Sequence, residues 1–89
     1  MKKVTVRNMT SNNGNKVANQ FIIESGNDVL FQSYNTIIAV KRKGKLILDK
    51  DYWNYSRTTS KYRNMFTGLS TQETKSAIKS GEIKLKNLN

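Results

Sequence analysis

The first half of the chain repeats one pattern: short apolar or β-branched runs, each closed by Gly, Asn or charged residues. Lys3-Val4-Thr5-Val6-Arg7 alternates apolar and polar residues with period two, which predicts a strand with one buried face. Residues 8–15 carry Ser11-Asn12-Asn13-Gly14-Asn15, and because Asn and Gly accept positive φ the stretch reads as a loop. A second strand is expected over 18–24, around Phe21-Ile22-Ile23. Ser25-Gly26-Asn27-Asp28 is a turn signal and Val29-Leu30-Phe31 resumes the β pattern, so the two runs form a hairpin. Thr36-Ile37-Ile38-Ala39-Val40 and Leu46-Ile47-Leu48 flank the tip Lys41-Arg42-Lys43-Gly44-Lys45 in a further hairpin. Apolar residues follow one another on both of its arms, so burial on both faces is expected there.

After Asp51 the period changes. Tyr62, Met65, Phe66 and Leu69 stand at i, i+3, i+4 and i+7, one face of a helix over 57–67. Arg57, Ser60, Lys61 and Asn64 gather on the opposite face, with Ser56 as N-cap and Gly68 as the stop. Ser70-Thr71-Gln72-Glu73 fits a capping box and opens a second, lightly packed helix that runs to about Lys79 and ends at Gly81. Its only strongly apolar residues are Ala77 and Ile78. Glu82-Ile83-Lys84-Leu85-Lys86 alternates again, a last strand at the sheet edge whose lysines blunt it against aggregation. The expectation is one α+β domain over 1–89: a mainly antiparallel sheet of about five to six strands with two short helices in the C-terminal half.

Charge bears on function more than on fold. Lys and Arg total 16 against 6 Asp and Glu, a net charge of +10, and the chain has neither Cys nor His. Thiol nucleophiles, disulfides, the usual zinc sites and imidazole acid–base chemistry are therefore excluded. Thr58-Thr59-Ser60-Lys61 places hydroxyls beside a lysine without the S-x-x-K spacing. The glycines are too dispersed for a phosphate-cradling loop, and Asp28, Asp49 and Asp51 do not make a calcium register. No cofactor is expected, and a binding protein is expected rather than an enzyme. No apolar run approaches the roughly 18 residues of a membrane span. The N-terminus starts like a signal n-region, but no apolar h-region follows, so a soluble, intracellular protein is expected.

Two constellations suit an anionic partner. Lys41, Arg42, Lys43 and Lys45 crowd one hairpin tip, where a polyanion relieves their mutual repulsion and releases counterions; a solvated turn kept basic for solubility has the same composition. From Tyr52 to Arg63, aromatic rings interleave with Arg57, Lys61, Arg63 and a run of Ser and Thr. Cations and hydroxyls meet phosphates, while rings such as Trp53, Tyr55 and Tyr34 stack on bases. Trp53 and Tyr62 serve equally well as packing under a helix.

Asn19-Gln20-Phe21-Ile22-Ile23, Phe31-Gln32-Ser33-Tyr34-Asn35, Ile38-Ala39, Leu48-Asp49, Tyr52-Trp53-Asn54-Tyr55-Ser56-Arg57-Thr58-Thr59 and Lys61-Tyr62-Arg63-Asn64 together resemble small uncharacterised proteins of bacteriophages and mobile elements of low-GC bacteria. The resemblance runs from about Val4 to Asn89 and implies an accessory protein acting in a bacterial cytoplasm, with no site residues to carry over. The leading expectation is a non-enzymatic nucleic-acid-binding protein that favours single-stranded DNA and uses Lys41, Arg42, Lys43, Lys45, Trp53, Tyr55, Arg57, Lys61 and Arg63. The alternative is an inhibitor or modulator that docks on an acidic surface of a host or defence protein. A monomer, or a homodimer paired through edge strands, fits either.

Overall fold

A computed structural model describes residues 3–11 and 13–89. Met1 and Lys2, which belong to the signal-like start, and Asn12, which belongs to the Asn-rich loop, lie outside the described residues. The strands are β1 (Val4–Thr10), β2 (Lys16–Ser25), β3 (Asp28–Ser33), β4 (Thr36–Arg42) and β5 (Lys45–Asp49). The helices α1 (Arg57–Thr67) and α2 (Thr71–Ser80) follow, and the short strand β6 (Lys84–Lys86) comes last. Sheet order equals chain order: β1 to β5 form an antiparallel meander, and β6 lies parallel to β5. Parallel neighbours need a long crossover, and here the two helices supply it.

Each boundary has a local cause. Ser56 is extended and its hydroxyl accepts from the Thr59 amide, while Gly68 ends α1 at φ 78°, a left-handed value that glycine takes without strain. Ser70 and Glu73 complete the expected capping box at α2, and Gly81 closes it. The loop expected over 8–15 is shorter, because β1 continues to Thr10 and β2 already begins at Lys16. Asn8 explains part of this: its side-chain amide donates 2.9 Å to the Val17 carbonyl, tying the strand ends together, and Met9 is buried in the core.

Both helices pack on one face of the sheet. Ile22, Phe31, Ile38, Ala39 and Leu48 meet Tyr62, Phe66 and Ile83 there, with the Phe31 and Phe66 rings stacked at 5.8 Å. The register jumps between Phe31↔Ala39 and Gln32↔Ile37, so Ile38 is a bulged residue. The bulge lets Ile38 and Ala39 both join this core although they are consecutive, while Val40 faces the other side of the sheet. The helical face differs from the expected one. Thr59, Tyr62, Arg63 and Phe66 are buried, whereas Met65 is exposed. The inward stripe has rotated because Arg63 is drawn inside.

Candidate nucleic-acid interface

The β4–β5 turn sets the geometry. Lys43 and Gly44 are consecutive residues at φ 51° and 77°, as a two-residue type I′ hairpin requires. The turn sends alternate side chains to opposite faces. Lys41 points to the helix side, where its ammonium sits 4.6 Å above the Phe66 ring. Arg42 points to the outer face and donates two hydrogen bonds of 3.1 Å to the Asp28 carboxylate. That carboxylate holds its pKa above the ordinary value, through the hydrogen bonds first and the charge second.

On the outer face the tip meets a partner that sequence reasoning assigned only to edge protection. Because β6 runs parallel to β5, Lys84 lies opposite Ile47 and Lys86 opposite Asp49. Arg42, Lys43, Lys45, Lys84 and Lys86 thereby line one open cleft of about 550 Å³, floored by Leu46 and Ile47. Glu82 is its one carboxylate among the described residues. None of these four lysines is in a salt bridge with a described carboxylate. The signal was present in the alternation of residues 82–86, but a parallel register to β5 was needed to place those lysines beside the tip.

The second expected constellation divides. Tyr52, Trp53 and Tyr55 follow the far end of β5, at the opposite end of the strand from the basic tip. Tyr34, in the β3–β4 turn, is at that same end. Tyr52 and Tyr55 are exposed and meet edge to face at 5.5 Å, and Arg57 and Lys61 are exposed on α1. Trp53 is half-buried, with the Arg63 guanidinium 5.2 Å from its ring. The structure therefore groups Arg42, Lys43 and Lys45 in the cleft and turns Lys41 to the opposite face. Tyr55 and Arg57 stand at the other end, and Lys61 lies near the middle of α1 on the helix-covered side of the sheet.

Arg63 requires a correction, because it is not a surface cation. It is 0% exposed, and its guanidinium donates to the Trp53 carbonyl at 2.6 Å and to Asn64 and Thr71 side-chain oxygens at 2.9 Å each. Burial lowers its pKa from the ordinary value. A guanidinium carries five donors in a fixed fork, so one side chain satisfies acceptors on α1, on the 50–56 segment and at the start of α2. It is a polar clasp with no phosphate within its reach. Ser60 and Asn64, expected on the outward face, are half-buried beside it.

Asp49 clasps the same end from the strand side. Its carboxylate accepts from the Asp51 and Tyr52 amides and from the Leu88 amide and Asn89 side chain. Burial alone would raise its pKa, but these donors outweigh that and hold it below the usual carboxylate range. The turn that carries Tyr52 and Tyr55 is thereby fixed to the C-terminal tail.

A small basic α+β domain, with a cationic cleft on one sheet face and a tyrosine-rich end, is the class that fold and site define. The chain belongs to the family of unknown function DUF8033, which matches residues 4–84. No curated protein and no solved structure matches it. Among the described residues, no helix is long and apolar enough to cross a membrane.

Proposed function

We propose that the protein binds nucleic acid without catalysing a reaction on it, holding backbone phosphates in the cleft formed by the β4–β5 tip and β6. One observation carries this reading: Arg42, Lys43, Lys45, Lys84 and Lys86, from two segments distant in sequence, converge on one open cleft. Lys84 and Lys86 share a face of β6, where alternate residues repeat about every 6.8 Å. A row of ammonium groups at that spacing suits a chain of repeating negative charges better than one small anion. Single strands are the favoured form, since the exposed rings of Tyr34, Tyr52 and Tyr55 offer stacking surfaces that a closed duplex does not engage. The setting that belongs with this reading is a phage or mobile-element accessory protein in a bacterial cytoplasm.

The test is fluorescence anisotropy with labelled single- and double-stranded oligonucleotides from about 50 to 200 mM salt. Micromolar binding that persists near 150 mM, with a log–log salt slope of about −3, is expected for phosphate contacts by the four lysines, Arg42 being paired with Asp28. Binding that is absent, or lost by about 150 mM, overturns the reading and turns attention to an acidic host protein as the partner of the cleft.

A further inference from the structure

The sheet has a second face, and the helices leave it uncovered. Direct register pairs share a face, and the pairs Val6↔Ile23, Ile23↔Leu30, Leu30↔Val40 and Val40↔Ile47 draw one aliphatic row across five strands. Phe21 and Ile37 lie beside the row, each opposite Gln32 or its neighbour strand, and Val4 extends it along the β1 edge. None of these side chains belongs to the helix-side core. Val40 and Ile47 are sealed by their neighbours at 3% and 8% exposure, whereas Val4 and Val6 stand open at 59% and 58%. A contiguous apolar patch of this kind on a chain of net charge +10 is a candidate contact surface.

Charge selects which occupant. Across β1 to β4, the charges of the described residues that face this way are Asp28 and Arg42, which pair with each other, and Lys16, which lies at the far end of β2 beyond the aliphatic row. Lys45, Lys84 and Lys86 lie outside the patch, on β5 and β6. Among the described residues, a polyanion finds no free cation over the row itself, and an acidic partner finds no complement there. Another neutral aliphatic surface does, and this chain supplies one. We propose that two copies pack outer face to outer face through β1 to β4, about a two-fold axis running along the strands between β2 and β3. Val6 of each copy then lies over the β4 row of the other, and Ile23 over Leu30. This arrangement places the two cationic clefts at opposite outer edges, so like charges stay apart and both clefts stay open.

Four strands about 4.8 Å apart and about six residues long give a flat patch of about 400 Å² per copy. That is below the roughly 800 Å² per partner of a standard interface, so the dimer is weak, with Kd of about tens to hundreds of micromolar. The proposal does not depend on nucleic-acid binding, and salt separates the two: it leaves an apolar dimer intact or strengthens it, and it weakens phosphate binding.

Sedimentation equilibrium from about 10 µM to 1 mM protein, at two salt concentrations, tests it. The expected mass rises from the 10.2 kDa monomer toward twice that value, at least as strongly at high salt. Val6→Asp and Ile23→Thr are expected to weaken the dimer tenfold or more. Ile23 lies on the inner strand β2 and threonine keeps its β-branched shape, so its effect distinguishes face packing from edge pairing; Leu85→Thr, at the β6 edge, is expected to change nothing. A monomer at every concentration, dissociation by salt, or an Ile23→Thr variant that associates like the parent overturns the proposal.

Discussion

The Arg63 guanidinium donates a 2.6 Å hydrogen bond to the Trp53 carbonyl and stands 5.2 Å from the Trp53 ring. A cation in the middle of α1 thus secures the segment that precedes the helix. Through Thr71 the same group reaches the first residue of α2. Three parts of the C-terminal half depend on one side chain, and the exposed tyrosines nearby take their positions from it.

Arg63→Ala is therefore expected to cost about 3–5 kcal/mol, since it opens a cavity and strands several buried acceptors. Arg63→Lys retains charge but loses the fork, and should still cost about 2 kcal/mol. Chemical denaturation measures both. A stable Arg63→Ala protein with lost nucleic-acid affinity would instead place Arg63 at the interface.

Asp49 gives the acid limb of stability its sign. Its folded pKa is below the unfolded value, so its contribution is complete above about pH 4 and is lost as pH falls through the folded value. Asp49→Asn should lower stability at neutral pH by about 1–3 kcal/mol and flatten the decline on acidification. Parallel acid-denaturation curves for the two proteins would contradict this.

Lys43 separates stability from binding. It occupies a left-handed position, φ 51°, that asparagine fills with less strain, and it also lines the cleft. Lys43→Asn is expected to raise stability by about 0.5–1 kcal/mol while weakening nucleic-acid affinity and its salt slope. Thermal melts and anisotropy on the same preparation check both directions.

Much of this fold is legible in local chemistry. Ser56, Gly68, the Ser70/Glu73 box and Gly81 set both helices because caps act within four residues. The inward rotation of α1 was not legible, since Arg63 is a surface residue by composition and becomes interior only through oxygens of Trp53, Asn64 and Thr71. The cleft was half legible. The tip announced itself as a charge run, whereas Lys84 and Lys86 join it only through a parallel pairing that no local pattern encodes. The aliphatic outer row needed the register too, because an alternating strand does not say whether helices cover its second face.

The most direct test of the account is the salt-dependent affinity of Lys84→Gln/Lys86→Gln beside the parent protein and Lys41→Gln. Both β6 lysines are exposed, so the fold should survive their loss. The account predicts weaker binding by the double variant and a salt slope shallower by about 1.5, with Lys41→Gln close to the parent. Unchanged affinity and slope in the double variant, or a larger loss in Lys41→Gln, would contradict the cleft as the site of phosphate binding.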